Sequence, residues 1–414
     1  MPEVRDTVTI EAIGARGDGV AETDAGRVYV PFALPGETWQ RNATGDWQLA
    51  SAPAADRATP ACPHFTRCGG CIAQHMAPAT YRAWKRAIAV DAFAHQGIAI
   101  DPPPPWQSPL GSRRRVTFTA VRHGDQVRLG YHALRSHDHV AIAACPIADE
   151  RIISRLADLC ELTALAAAQA KQQGELRVSV TAAHNGLDVV IEADGRRLGP
   201  ADRAALARVA ERAGILRLTV GTDEILQLSE PVIEVEGVAI PLPQGTFLQA
   251  VPEAEAYLAE RVLAGIGGAK VVADLFAGLG TLTIPLARRA RVSAFDSDSE
   301  AVVALERGVR GAKGLKPVGV RRRDLFREAL SRTELKTFDA VVLDPPRAGA
   351  DAQAKALARS DVRRIVAVSC NPATLARDVR TLTEAGYRLT AIDLIDQFLF
   401  SPHLEAVAVL VRGR

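Results

Sequence analysis

The 414-residue sequence has little net charge, few cysteines and few aromatic residues, and each shortage narrows what it can encode. Fifty basic residues nearly balance 48 acidic ones, leaving a formal charge of +2, so no global field draws in a polyanion and any nucleic acid must be held by local patches. Six cysteines are too few for a disulfide scaffold in a chain of this length; in a reducing compartment, clustered thiols more often bind metal or do chemistry. With 5% aromatic residues, no stacking platform for a nucleobase can be located. No uncharged apolar run reaches about 18 residues and MPEVRDTVTI lacks a signal-peptide pattern, so the expectation is a cytoplasmic protein without a membrane partner. What is abundant is apolar residue, 48% of the chain, enough for the cores of two or three domains.

Residues 1–57 alternate apolar and polar in short runs (Val4 to Ile10, Arg27 to Phe32) broken by Gly14, Gly17, Gly19 and Gly26, which predicts a small β-barrel. The Ala-Pro-Asp stretch from Ala50 to Pro60 reads as a linker. Residues 58–240 mix a helical pattern (Tyr81 to Gln96), a proline stop (Pro102 to Pro105) and strand-like runs such as Arg115 to Val121, and are assigned to a central α+β domain. From residue 241 to 414, strand-sized apolar runs alternate with helix-length segments. That alternation argues for an open, doubly wound α/β sheet with ligands at the carboxyl ends of its strands.

In this last domain, the run Val271 to Leu275 enters Phe276-Ala277-Gly278-Leu279-Gly280-Thr281 and then a helix, so glycines fall where the backbone turns tightly against a ligand. Asp296 ends the next run, where a carboxylate accepts from ribose hydroxyls. A glycine-rich turn alone is as often an ordinary βα turn; Asp296 tips the pair toward a nucleoside-containing cofactor. The pattern lacks both GxGxxG and the Lys-Ser/Thr of a phosphate loop, which points away from NAD and ATP. It resembles the first motif of class I (Rossmann-like) S-adenosylmethionine-dependent methyltransferases. Asp324, after a third run, suits an adenine amino group or, equally, a helix N-cap.

Two strand ends then carry Asp344-Pro345-Pro346-Arg347 and Ser369-Cys370-Asn371-Pro372. Amino-methyltransferases place an aromatic after Asp-Pro-Pro; here Arg347 stands, so an exocyclic amine is the less favoured target. Carbon 5 of uracil is a poor nucleophile until a thiolate adds at carbon 6 and creates an enolate, and a cysteine at a sheet edge meets that need. The methylated carbon then loses a proton to a base, and His403-Leu404-Glu405 supplies candidates. A lone free cysteine is more often a buried small residue and a lone glutamate a solvated one; the combination changes that balance.

DLFAGLGTLTIPLA, DPPRAG, SCNPATLARD and HLE, in that order over residues 241–414, resemble the RNA 5-methyluridine (uracil-C5) methyltransferase family. The resemblance implies Cys370 as nucleophile, Glu405 as base, and Gln249, Phe276, Thr281, Asp296, Asp324 and Asp344, with the turn glycines Gly278 and Gly280, as contacts of S-adenosylmethionine. The sequence departs from the family where Val251 replaces a common Asn after Phe247-x-Gln249, where Thr281 replaces Asn, and where Asp296 replaces a glutamate.

Cys62, Cys68 and Cys71 (C-x5-C-x2-C) with the distant Cys145 would complete a four-thiolate site for zinc or an iron–sulfur cluster, between which spacing does not choose. The pattern is similar to the [4Fe-4S] site of the family's ribosomal-RNA branch, and residues 1–57 resemble that branch's RNA-binding TRAM barrel through Val28-Tyr29-Val30-Pro31 and Leu34-Pro35-Gly36-Glu37. The likeness therefore favours a [4Fe-4S] cluster of structural role over zinc, and 23S ribosomal RNA as substrate over transfer RNA. Cys160 falls outside the pattern, in an apolar helical stretch, as a core residue. Arg113-Arg114-Arg115, Arg321-Arg322-Arg323 and Arg135-Ser136-His137 are candidate phosphate contacts, or else solvated faces. No obligate protein partner is indicated and a monomer is expected. Competing readings are an amino-methyltransferase, and a non-catalytic RNA-binding iron–sulfur protein.

Overall fold

The computed structural model describes residues 7–123, 126–167, 174–193 and 198–413, so residues 4–6 of the first alternating run lie outside it. The N-terminal alternation builds six short strands in two antiparallel three-stranded sheets, Thr7–Thr9, Thr38–Arg41 and Trp47–Leu49 in one, Ala12–Ile13, Gly19–Thr23 and Gly26–Val30 in the other. Val8, Ile10, Ala21, Val30, Ala33 and Trp39 form their core. Glu37 is fully buried beneath it; burial alone would raise its carboxyl, but Arg57 and the amides of Leu34 and Ala54 donate to it and hold it down at about 2. This ties the linker to the strands.

The middle of the chain forms a seven-stranded sheet ordered 139–141, 126–132, 115–123, 176–183, 186–192, 215–220 and 223–227. It is antiparallel except where Gly186–Glu192 pairs in parallel with Ile215–Val220, across the helix Pro200–Arg212. Cys160 packs at the margin of this unit's core, as its apolar surroundings suggested.

The C-terminal sheet has eight strands: β1 Trp106–Gln107, β2 Val271–Leu275, β3 Arg291–Asp296, β4 Val318–Arg322, β5 Ala340–Leu343, β6 Arg364–Ser369, β7 Tyr387–Asp396 and β8 Glu405–Arg412, in the order β4-β3-β2-β5-β6-β8-β7-β1. Alternate residues face opposite layers: Val341, Leu343, Ile365 and Ala367 meet helices α1 (Pro78–Ala94) and α4 (Pro372–Glu384), whereas Val342, Val366 and Val368 meet α2 (Pro252–Ile266). Each such branched or aromatic side chain contributes roughly 1.5–3 kcal/mol by leaving water. α3 (Ser299–Gly311) covers β3 and β4 together with the hairpin Val232–Val235 and Val238–Pro241.

This is the doubly wound sheet expected of residues 241–414, with two additions from outside. α1 and β1, read from sequence as part of the central domain, pack on the C-terminal sheet, β1 pairing with β7 and Phe93 of α1 joining its core. The hairpin ending at Pro241 likewise packs on α3. Both stretches are short, and their partners lie far away in sequence, where no local pattern records them.

Candidate active site

Strand order reverses between β2 and β5, and the crevice at their carboxyl ends is where an open α/β sheet takes its ligands. The turn after β2 is tight: Phe276, Gly278 and Gly280 all have positive φ, and a Cβ on Gly280 would meet Leu305 Cδ1 at 2.2 Å. Gly278 N donates to Asp296 Oδ2 at 2.8 Å, so the end of β3 is tied to this turn, and Asp296 Oδ1 also accepts from Asp298 N at 2.8 Å. Thr281 follows, half-buried, before the helix Thr283–Ala287. Beneath the turn, Asp274 is wholly buried, accepts from Thr283 Oγ1, and is pushed up to about 7 by burial, with Asp344 and Asp296 adding to the effect. Asp324 lies just past β4, as expected, but its Oδ1 accepts from Phe326 N at 3.0 Å, so here it closes a local turn. The ring of Phe326 packs 5.4 Å from that of Phe276.

Cys370 and Glu405, 35 positions apart, meet through strand pairing. Cys370 follows β6; β8 runs antiparallel to β6 with Ser369 opposite Ala406, so the first residue of β8, Glu405, arrives at the end where β6 finishes. Cys370 is also at the start of α4, whose N-cap Asn371 accepts from Ala373 N at 3.1 Å and whose first turn holds Pro372. A helix N-terminus favours a thiolate.

A chain of amides joins the carboxyl groups. Glu405, 3% exposed, accepts from Gln397 Nε2 at 2.9 Å; the same nitrogen donates to Gln249 Oε1 at 2.7 Å; and Gln249 Nε2 donates to Asp344 Oδ2 at 3.4 Å. Burial pushes Asp344 up to about 8, with Glu405 adding to it, and pushes Glu405 up to about 7, against Gln397 and Arg347. Burial, Glu405 and Asp344 also raise the Cys370 thiol, and Arg347 opposes them. Arg347 donates to Nδ1 of His403 at 2.7 Å, and partial burial with Arg347, Lys85 and Arg113 pulls His403 down, so its ring is neutral. Gln397 escaped the sequence reading; its only signal was its place just past β7, the strand paired with β8.

Beside Arg347 and His403 opens a cleft of about 600 Å³, lined also by Cys62, Cys68, Cys71 and Cys145 and by Phe247, an aromatic ring 66% exposed. Among the described residues, no group of three or more His, Cys, Asp or Glu side chains stands together as a ready-made metal site. The four cysteines nonetheless all line this cleft and bear on one another electrostatically, as soft donors for a thiophilic group would; Gly70 N points at Cys68 Sγ at 3.4 Å, and burial raises Cys68, Cys145 and Cys71, the last to about 12. Thiols so raised ionise only when a cation compensates them.

The arginine runs divide. Arg113 and Arg115 line the cleft, but Arg114 is buried, donating to Gln249 O at 2.9 Å and to Glu255 Oε2 at 2.6 Å, and so steadies the segment carrying Gln249. Arg323 pairs with Glu334 at 2.6 Å, and Arg135 with Asp18. These last three face protein partners. A larger hollow of about 910 Å³ lies on the N-terminal sheets, with no lining residue from the strand ends, so chemistry rather than size locates the active site.

Fold and strand-end chemistry together define a methyltransferase of the Rossmann-like class. Comparison with known proteins narrows this. The family described as tRNA (uracil-5-)-methyltransferase matches residues 318–413. The chain is 45% identical to an RNA methyltransferase of Rhizobium meliloti, covering 98% of this chain and 99% of that one. It is 32% identical to the 23S rRNA (uracil(1939)-C(5))-methyltransferase RlmD of Aeromonas hydrophila, covering 98% and 96%. The tRNA (uracil-54, C5)-methyltransferase of Pyrococcus abyssi, solved with S-adenosyl-L-homocysteine, shares the fold with a TM-score of 0.77 at 23% identity, over 99% of this chain and 100% of that one. The chain belongs to the RNA uracil-C5 methyltransferase family. Among the described residues, no helix is long and apolar enough to cross a membrane.

Proposed function

We propose that the protein transfers a methyl group from S-adenosylmethionine to carbon 5 of a uridine in 23S ribosomal RNA, with Cys370 as nucleophile and Glu405 as base. The observation that carries this reading is the register of β6 and β8, which brings a cysteine at a helix N-terminus and a buried glutamate to one edge. Bound S-adenosylmethionine supplies the electrophilic methyl group. Phe276, Gly278, Gly280, Thr281 and Asp296 line its turn, with Asp324 at the adenine end and Gln249 and Asp344 toward the reacting base. Cys370 adds to carbon 6, carbon 5 takes the methyl group, Glu405 removes the carbon 5 proton, and the thiolate leaves. Arg347 stabilises the thiolate and, by donating to Nδ1 of His403, occupies the lone pair with which that ring would accept a proton, leaving Glu405 as the base. Phe247 offers a stacking surface at the cleft mouth.

The ribosomal substrate rests on the relative from Aeromonas hydrophila and on the four cysteines. Cys62, Cys68, Cys71 and Cys145 would hold a structural [4Fe-4S] cluster, since four protein ligands leave no open coordination position. The N-terminal strands, with Tyr29, Trp47 and Arg41 around their hollow, act as an RNA-binding barrel of the TRAM kind. Residues 1–57, 58–240 and 241–414 are the proposed sequence divisions of a cytoplasmic monomer, with α1, β1 and the hairpin of residues 232–241 packing with the last of them. The test is to incubate anaerobically purified protein with labelled S-adenosylmethionine and either ribosomal or transfer RNA, then digest to nucleosides. Label in 5-methyluridine from ribosomal RNA is expected. Label in 5-methyluridine from transfer RNA alone shifts the substrate, and label in a methylated adenine or guanine overturns the reaction.

A further inference from the structure

The face that α1 turns inward is apolar at Tyr81, Trp84, Ala89 and Phe93, yet at Lys85 it carries a fully buried amine. Such a group persists only with close partners. Lys85 Nζ lies 2.6 Å from Asp396 Oδ1, also fully buried, and donates to the carbonyls of Phe398 and His403. One turn earlier on α1, Tyr81 donates to Asp396 Oδ2 at 2.6 Å, and its hydroxyl accepts from Phe400 N at 2.7 Å. Phe400 adopts φ +59°, a conformation few side chains tolerate without support, and its carbonyl accepts from Ile72 N at 2.8 Å.

Every one of these contacts falls on residues 396–403. Asp396 ends β7 and Glu405 begins β8, so the segment between them leads into Glu405 and carries Gln397, whose Nε2 donates to the Glu405 carboxyl at 2.9 Å. Its regular neighbours on either side are pinned by the sheet, whereas the segment itself is held by side-chain and loop contacts, with Tyr81 and Lys85 reaching it from α1 and Gln249 and Ala250 bonding Gln397. An ordinary packing staple would explain the burial but not why Lys85 reaches two carbonyls of this one segment, those of Phe398 and His403, while Tyr81 accepts from Phe400 N between them.

We propose that Tyr81, Lys85 and Asp396 form a latch that positions the segment leading to Glu405, so that α1 governs proton removal from carbon 5 without touching the substrate. The inference rests on the reading of Glu405 as the base. Tyr81, Lys85 and Asp396 are thus positioning residues, and the step they control is separable from the steps before it.

The separation can be measured with the full-length protein. RNA bearing 5-fluorouridine reports thiol addition and methyl transfer, because fluorine on carbon 5 does not leave as a proton; ordinary RNA reports the whole cycle. Tyr81→Phe keeps the ring and loses the hydroxyl. Lys85→Met with Asp396→Asn removes both charges together, so that neither is left buried alone. Both variants are expected to form the fluorinated adduct within about threefold of the wild-type rate, yet to turn over ordinary RNA roughly tenfold to a hundredfold more slowly, as a misplaced reacting group does. A covalent protein–RNA adduct should accumulate on ordinary RNA in both. Equal slowing on the two RNAs, or unchanged turnover on ordinary RNA, overturns the latch. Glu405→Gln is the reference: if it accumulates adduct and the latch variants do not, only the latch fails, whereas if it accumulates none, the base assignment fails and takes the latch with it.

Discussion

Cys370, Asp344 and Glu405 share one strand edge, where each disfavours the charge of the others. Burial raises each of them, and Glu405 raises both of the others. The two carboxyls therefore titrate as a coupled pair near neutrality, Asp344 at about 8 and Glu405 at about 7, while the Cys370 thiol is pushed up. Glu405 accepts a proton only when ionised, so turnover on uridine RNA should fall as pH drops through about 7, a limb that Glu405→Gln should lack in rate–pH profiles. Stability follows the opposite sign. A carboxyl whose folded pKa lies above its ordinary 4.5 binds its proton more tightly in the fold, so raising the pH from 4.5 to about 7 destabilises the wild type, and the penalty stays constant above that. Glu405→Gln should therefore be more stable than wild type at about pH 8, by up to about 3 kcal/mol, with the gap closing near pH 4.5. Identical thermal melts at the higher pH would contradict the raised Glu405.

At the scale of elements, the site is assembled by loops whose positions other elements fix. Arg114 bonds the segment before α2 through Gln249 O and Glu255. Arg114→Met should leave the Glu255 carboxylate buried and unpaired, cost about 3–5 kcal/mol in denaturant unfolding, and raise the KM for S-adenosylmethionine more than it lowers kcat. Gly280→Ala should lose about 1–3 kcal/mol and cofactor affinity together, since φ +83° and the nearby Leu305 both oppose a Cβ; calorimetric titration with S-adenosyl-L-homocysteine would report the second effect. The sequence placed Cys370 and the β2 turn at strand ends because strand-turn-helix punctuation is local, whereas Glu405 was singled out only by the family resemblance. Gln397 was hidden, because its role depends on the pairing of β7 with β8. Arg114 looked like a phosphate contact because a run of arginines shows charge and not burial. The placement of α1 and β1 was likewise invisible, being decided by partners some 300 positions away such as Asp396.

For the whole molecule, one cleft is lined both by the four cysteines of the central unit and by Arg347 and His403 beside the catalytic edge, so what the cysteines hold bears on both. Anaerobically purified protein should contain iron and acid-labile sulfide, and Cys71→Ser should lose both and unfold at lower denaturant concentration; stoichiometric zinc without iron would replace the cluster assignment. Under the proposed function, the near-neutral total charge, set against a cleft carrying Arg113, Arg115 and Arg347, predicts a local grip on RNA. RNA affinity should accordingly fall with salt, and Arg113→Ala should flatten that dependence. The most direct test of the account as a whole is the covalent one: anaerobically purified wild type and Cys370→Ala incubated with S-adenosylmethionine and 5-fluorouridine-substituted ribosomal RNA, then run on a denaturing gel. A protein–RNA band in the wild type that is absent from Cys370→Ala is the predicted result. Methylation of ordinary RNA persisting in Cys370→Ala, with no band in either protein, would contradict attack through Cys370.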